Sequence, residues 1–342
     1  MSLRIALIGD FGGRTDEGMR KLCAQVEAAA RAAHEILLVG TRDFASGRAW
    51  RRLRAFRPDC LHYLTGPTWR SLAALRAHRS TLPGRPRTIA TGIRPYLGPV
   101  TRRALPALAP DVYLAQARRW QTLFAAAGAR TIDFPSWTDR ARFRPADAPA
   151  RAALRARWGL AADRPVVLHV GHIKENRNLG CLVAAQRSGR YQVLIVGSES
   201  ESRPGPWRQE LEAAGCRVHT QFLPEIEEIY QLADVYAFTV RATAAGLYPR
   251  DYDEIGVIDF PLSVLEARST GLPVVSTRHD ALEHFLASDP ALRWFDGTGG
   301  GCLAALDATG RSPAPPLGPG FDLAELPGRL REIYGMPARS RR

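Results

Sequence analysis

VVLHVGHIKENR, residues 166 to 177, decides the fold. Its apolar, β-branched opening reads as a buried strand that runs into a turn at Gly171. His172, Lys174 and Arg177 then bring positive charge to the start of the following helix. A helix start carries unpaired N–H groups and the positive end of the helix dipole, so this order of strand, glycine turn and cations makes a diphosphate site. Downstream, IDFPLSVLEARSTGLPVVST (258 to 277) repeats the plan as a helix carrying Glu266, a Gly-Leu-Pro turn and a Val-rich strand.

Working outward, strand and helix patterns alternate along the whole chain. In the first half the strand candidates are RIALIG (4 to 9), EILLVG (35 to 40), DCLHYL (59 to 64), RTIAT (87 to 91), DVYLA (111 to 115) and RTIDF (130 to 134). Helical stretches such as residues 17 to 33 and 117 to 128 lie between them. Residues 141 to 165, rich in alanine and with prolines at 145, 149 and 165, break the rhythm and suit a hinge followed by a short helix. A second series follows: VVLHVG (166 to 171), YQVLIVG (191 to 197), RVHTQFL (217 to 223), DVYAFTV (234 to 240) and LPVVST (272 to 277). The βαβα rhythm predicts two Rossmann-like, doubly wound parallel sheets. The expected division is 1–150, 151–320 and a C-terminal helix and tail, 321–342, packing back toward the N-terminal domain.

At 342 residues and 45% hydrophobic, the chain can bury two cores of ordinary domain size. No apolar run approaches the roughly 20 residues needed to span a bilayer, and MSLRIALIGDFGG reads as a strand, not a signal peptide, so a cytoplasmic protein is expected. Five dispersed cysteines without a Cys-x-x-Cys pair indicate neither a disulfide frame nor a zinc site. Charge is unevenly distributed. Residues 1 to 145 hold 25 of the 47 Lys and Arg but only 10 of the 34 Asp and Glu, a net of +15, and the remainder nets −2. A basic N-terminal half suggests an anionic partner, such as a phosphorylated acceptor or the inner face of a membrane. Only two of those cations are needed to note a second source of the bias: Lys21 and Lys174 are the sole lysines, a usage typical of GC-rich coding.

Several segments, in order, resemble family 4 glycosyltransferases of the GT-B fold. FRPDCLHYLTGPT (56 to 68) is similar to the family's "kPDiiH" strand, and PSWTDRARFRP (135 to 145) to "pNGVDxxxFxP". VGHIKENRN (170 to 178) is similar to "VGRLxxxKN", and LPEIEEIYQLADVYAF (223 to 238) to "eelxxlYxxADvfv". FPLSVLEARSTGLPVVST is similar to "FGLxxLEAmAxGlPVVat". The resemblance implies two α/β domains facing across a cleft, and transfer of a hexosyl or N-acetylhexosaminyl group from a nucleotide sugar to a hydroxyl with retention of configuration. UDP-sugars are slightly favoured over GDP-sugars. It implies a nucleotide-sugar co-substrate and no required metal or other cofactor.

Carried over residue by residue, the resemblance puts Arg177 where the family has its diphosphate-binding lysine, and His172 where it has an arginine, with Lys174 as the alternative cation. Arg177, Lys174 and Glu266 form the expected catalytic set, and His172 is expected to bind the donor. Glu266 matches the glutamate that holds the ribose hydroxyls, while Gly171, Phe260, Leu262 and Ser263 line the donor, and the base lies against Phe222, Leu223 and Pro224. The family's first glutamate falls at Ile258, with Asp259 beside it. Either Asp259, or one of Asp251, Asp253 and Glu254 in the insertion 240 to 257, contacts the donor sugar, or backbone alone does.

In the N-terminal half, Gly12 and Gly13 let backbone approach a ligand, Glu17 opens a helix, and Arg14, Arg20 and Lys21 either meet an acceptor phosphate or form a solvated helix face. His62 ends a strand and is an acceptor-side candidate or a satisfied structural histidine. RAWRRLRAF (48 to 56) is a basic amphipathic helix whose Trp50, Leu53 and Phe56 face either anionic lipid or the core. Two other classes fit poorly. GDFGGR (9 to 14) lacks the G-x-G-x-x-G spacing of a nicotinamide-binding dehydrogenase, and no interleaved aromatic platform suggests nucleic acid. A protein that binds a nucleotide sugar with little or no transfer is the remaining alternative, because His172 and Ile258 both depart from the pattern.

Overall fold

The computed structural model describes residues 2–12, 18–93, 97–174, 177–197, 206–240, 259–309 and 314–336. Contacts divide the chain into two compact units. Unit 1 comprises Met1–Trp137, Val257–Pro261 and Asp322–Arg342, and unit 2 comprises Thr138–Gly256 and Leu262–Phe321.

Unit 1 holds strands β1 (Arg4–Gly9), β2 (Glu35–Gly40), β3 (Cys60–Tyr63), β4 (Arg87–Thr91), β5 (Val112–Ala115) and β6 (Arg130–Asp133). They form one parallel sheet in the order β2-β1-β3-β4-β5-β6. The helices between them are α1 (Gly18–Arg31), α2 (Gly47–Phe56), α3 (Trp69–Thr81), α4 (Pro99–Leu108) and α5 (Arg118–Ala126). Local sequence explains their ends. Ser46 accepts a hydrogen bond from the Ala49 N–H at the start of α2, and Thr68 with Ser71 makes a capping box on α3. Leu53 of α2 is buried, Trp50 and Phe56 are half-buried, and the Trp50 Nε1–H donates to Thr81 Oγ1 at 3.1 Å. The apolar stripe of α2 therefore faces the protein, leaving Arg48, Arg51, Arg54 and Arg57 exposed.

Unit 2 begins its series with α6 (Ala148–Arg157), which contains the expected boundary at 150/151. Arg151 and Arg155 of this helix both pair with Asp234 in the strand series of unit 2, so the helix folds with that unit and the division falls earlier, at Trp137/Thr138. The strands are β7 (Val166–Val170), β8 (Gln192–Val196), β9 (Arg217–His219), β10 (Val235–Phe238), β11 (Val274–Thr277) and β12 (Leu292–Phe295), all parallel. The helices are α7 (Gly180–Arg187), α8 (Trp207–Ala213), α9 (Glu227–Leu232), α10 (Leu262–Ser269), α11 (Asp280–Phe285) and α12 (Gly299–Thr309). Strand β9 stops at His219, and β12 adds an edge strand that the sequence reading omitted. The order β12-β11-β10-β7-β8-β9, read from the other edge, is third, second, first, fourth, fifth, sixth within the unit. That is the Rossmann order, and it places a topological switch point between β7 and β10.

The last helix, α13 (Leu326–Gly335), packs in unit 1, where Leu326, Leu330, Ile333 and Tyr334 join the core around β1, β3 and β4. Arg87 of β4 donates to the carbonyls of Ile333 and Tyr334 at 3.0 and 2.6 Å and to that of Met336, completing the helix end with a cation. The five cysteines are buried and free. Among the described residues no helix is long and apolar enough to cross a membrane.

Candidate functional site

Ligands of open α/β sheets bind outside the carboxyl ends of the strands at the switch point. In unit 2 that point is the turn after β7, which begins at Gly171. The turn is built by close backbone packing. The Gly171 N–H donates to the Val196 carbonyl at 2.9 Å, and a Cβ placed on Gly197 would lie 1.6 Å from the Gly171 oxygen, so only glycine fits at 197. Gly171 therefore spends its N–H inside the fold and shapes the turn. His172 and Lys174 follow it half-buried, and Arg177 is 7% exposed. The Arg177 N–H donates to the Lys174 carbonyl at 3.0 Å, while the Arg177 carbonyl accepts from Thr239 Oγ1, beyond β10, at 2.6 Å. Asn178 closes the turn at φ 53°, a conformation Asn tolerates, and its Nδ2 donates to the Gly297 carbonyl at 2.8 Å. The turn carrying His172, Lys174 and Arg177 is thus tied, through the Arg177 carbonyl and the Asn178 side chain, to the segments after β10 and β12.

Helix α10 reaches the same end of the sheet. It starts directly after Pro261, whose missing N–H costs nothing at a helix start. Ser263 and Glu266 lie three residues apart, on one face of the helix. Glu266 is 6% exposed, and the Tyr230 hydroxyl from α9 donates to its Oε2 at 2.8 Å. The Tyr236 hydroxyl, from β10, lies 2.7 Å from Ser263 Oγ and 3.2 Å from the Val170 carbonyl. Burial first, and the Glu266 charge next, push the Tyr230 phenol well above its ordinary range, which keeps it a proton donor. Burial likewise raises the Tyr236 phenol. Thus the end of β7, the end of β10 and the first turns of α10 form one connected group containing Arg177, Ser263 and Glu266.

The turn expected to meet the base lies after β9. Leu223 is half-buried and Pro224 exposed, and Arg142 holds the turn by donating to the Pro224 carbonyl at 2.6 Å and to Glu227 Oε2 at 2.8 Å. The same guanidinium is near enough to Glu266 for the two charges to interact. Sequence reasoning did not single out Tyr230, Tyr236 or Arg142 for a role. The two tyrosines do stand six positions apart inside the quoted EEIYQLADVYAF segment, with no other marker.

Asp259 and Phe260 group with unit 1: Asp259 is 1% exposed, bonds Arg119 at 3.1 Å and donates its N–H to the Ile93 carbonyl at 2.8 Å. The Phe260 carbonyl accepts from Ser136 Oγ at 3.0 Å. A buried carboxylate needs a cation, and Asp259 has one within its own unit. His62 is fully buried, with Nδ1 2.8 Å from the Tyr334 hydroxyl and Nε2 2.6 Å from Thr91 Oγ1, and burial with the Arg87 charge lowers its pKa to about 3. That is a neutral structural histidine joining α13 to β3 and β4. Gly12 follows β1, beside the β1–β3 switch point of unit 1, and Arg20 pairs with Asp10 at 3.0 Å. Gly13, Arg14, Glu17, Ile258 and the insertion acids lie outside the described residues. The insertion also contains Asp251-Tyr252-Asp253, an Asp-x-Asp spacing, so the sequence leaves divalent-metal binding open there. Among the described residues no cluster of metal-ligating side chains occurs.

Two parallel sheets, the second in Rossmann order with basic side chains and a buried carboxylate at its switch point, define the class: the chain has the two-unit α/β fold of GT-B glycosyltransferases. Residues 164–292 are matched by the model of the family described as Glycosyl transferases group 1. The D-inositol 3-phosphate glycosyltransferase of Kineococcus radiotolerans is 30% identical over 216 residues, covering 59% of this chain and 46% of the relative. That of Nocardia farcinica is 31% identical over 176 residues, 47% of this chain and 35% of the relative. The chain thus spans less than half the length of these relatives. Among solved structures, HepE of Anabaena in complex with UDP has a TM-score of 0.72 at 14% identity, covering 98% of this chain and 100% of that one. A glycosyltransferase from Rickettsia africae has a TM-score of 0.68 at 10% identity, covering 97% and 98%.

Proposed function

We propose that the protein is a glycosyltransferase that moves a sugar from a nucleoside diphosphate to a hydroxyl acceptor with retention of configuration. The observation that carries this reading is the β7–β10 switch point, where the turn bearing buried Arg177 and half-buried His172 and Lys174 is bonded to the segment after β10, and Tyr236 of β10 bonds Ser263 on the α10 face that also bears Glu266. As the sugar–phosphate bond breaks, negative charge grows on the leaving diphosphate. Fixed cations and helix-start N–H groups stabilise that charge with little reorganisation. Glu266, fixed by Tyr230, holds the ribose. Retention then proceeds on one face of the sugar, the leaving phosphate taking the acceptor proton, so no enzyme nucleophile is required.

UDP is the favoured nucleotide, in keeping with the UDP and UDP-glucose complexes of HepE. The names of the matched relatives favour a phosphorylated cyclitol-like acceptor, which suits the positive balance of the N-terminal half. The exposed Arg48, Arg51 and Arg54 of α2 and Arg57 just past its end, which make no ion pairs among the described residues, suit a peripheral contact with an anionic surface through charge alone. The test is calorimetric binding of UDP and GDP, followed by transfer assays with their sugars. Arg177→Ala and Glu266→Ala should each weaken nucleotide binding at least about tenfold. Binding without any transfer or donor hydrolysis would instead favour the non-transferring alternative, and absence of binding would sink both.

A further inference from the structure

We propose that Tyr230 is a positioning residue for the nucleoside: its hydroxyl fixes the Glu266 carboxylate so that the site selects a ribose bearing its 2′-hydroxyl. The inference rests on the nucleotide-sugar reading above and adds the residue that gives the ribose contact its discrimination. A glutamate side chain turns about three bonds, and ordering it when a ligand arrives would offset much of what a hydroxyl contact contributes. Here the ordering occurs on folding. The Tyr230 hydroxyl lies 2.8 Å from Glu266 Oε2, and Tyr230 itself is fully buried. Its ring is held by the edge of Phe143, with centroids 5.7 Å apart, and by Tyr236 at 6.0 Å. A protonated phenol facing a carboxylate makes a charge-assisted bond, among the stronger kinds. An ionised carboxylate only accepts, so a ligand hydroxyl must donate to it, and an analogue lacking that hydroxyl is rejected.

Tyr236 provides an internal contrast. Its hydroxyl meets Ser263 and the Val170 carbonyl, one turn earlier on α10, and has no hydrogen bond to Glu266. Its removal acts on the phosphate end and leaves ribose discrimination alone.

The experiment is calorimetric titration of the full chain with UDP, GDP and their 2′-deoxy forms. Wild type should bind the ribonucleotide about tenfold or more tightly than the deoxynucleotide. Tyr230→Phe keeps the ring and its packing. It should bring that ratio to within about twofold, chiefly by weakening the ribonucleotide, and have no further effect in a Glu266→Ala background. Tyr236→Phe should keep the wild-type ratio. Should Tyr230→Phe not fold, Phe143→Leu loosens the ring while keeping the hydroxyl, and should lower the ratio in the same direction. A Tyr230→Phe protein that still discriminates as wild type does overturns the inference and leaves the nucleotide-sugar reading intact. A wild type that binds none of the four nucleotides overturns both.

Discussion

Arg268 of α10 is 1% exposed, and its environment allows a quantitative test of how the helix is anchored. Its Nε and Nη2 reach the two oxygens of Asp289 at 2.7 and 3.1 Å, Nη1 donates to the Leu272 carbonyl at 3.1 Å, and Nη2 also donates to the Pro315 carbonyl at 2.8 Å. Asp289 additionally accepts from the Ala291 N–H at 3.0 Å. Asp289→Asn keeps an acceptor for Ala291 and sets an amide N–H group against the guanidinium in place of a carboxylate. One buried cation is then unpaired, which costs about 3–5 kcal/mol. For a unit of this size each kcal/mol moves Tm by roughly 2–4 °C, so unit 2 should melt roughly 6–20 °C earlier. The quoted family pattern has "m" at this position, and Arg268→Met with Asp289→Asn removes the stranded charge. The double variant should recover part of the loss, with a coupling of about 2 kcal/mol. Urea unfolding followed by circular dichroism and tryptophan fluorescence, fitted as two transitions because the chain has two units, reads these values. A loss below about 1 kcal/mol for Asp289→Asn, or strict additivity in the double variant, would refute the account.

Two further outcomes concern buried titrating groups. His62 and His169 are held neutral, burial lowering their pKa values from 6.5 to about 3 and about 4. Between those values and 6.5 the unfolded chain binds protons that the folded chain does not. Stability is therefore full above pH 6.5 and falls as the solution is acidified, by at most about 1.4 kcal/mol per pH unit for each histidine. Denaturant midpoints measured from pH 7.5 to 4.5 should show this slope, and His62→Gln or His169→Gln should flatten it whatever their stability at pH 7.5. An unchanged slope would place the acid sensitivity elsewhere. Asp259→Asn should leave nucleotide binding within about twofold while lowering stability, because it removes the carboxylate from the ion pair with Arg119. A large loss of donor affinity with little loss of stability would instead restore Asp259 to the donor site.

The parts of the fold legible in the sequence were those whose signal is local. Apolar, β-branched runs such as VVLHV and QVLIV announce strands buried on both faces. LRWF gave no such signal, because β12 is four residues long, sits at the sheet edge and has two inner positions, Arg293 and Trp294, that are not buried. The expected boundary at 150/151 falls inside α6 because the alanine-rich stretch 141–165 reads as a hinge followed by a short helix. What assigns α6 to unit 2 is the pairing of Arg151 and Arg155 with Asp234, some 80 residues away, which no local pattern contains.

The candidate site divides along the same line. Arg177 and Glu266 were legible because their place in a strand-turn-helix motif carries the reason for their presence: an anion-binding helix start needs cations, and a carboxylate on α10 faces the same strand ends. Asp259 is equally acidic and seven residues from Glu266, yet the two carboxylates have different environments. The distinction comes from partners remote in sequence. Asp259 is paired with Arg119 at 3.1 Å, whereas Glu266 accepts from the Tyr230 hydroxyl at 2.8 Å with the Arg142 guanidinium near enough for the two charges to interact. Partners this remote in sequence, more than the acid's own position, set the surroundings of each carboxylate, and no local pattern contains them.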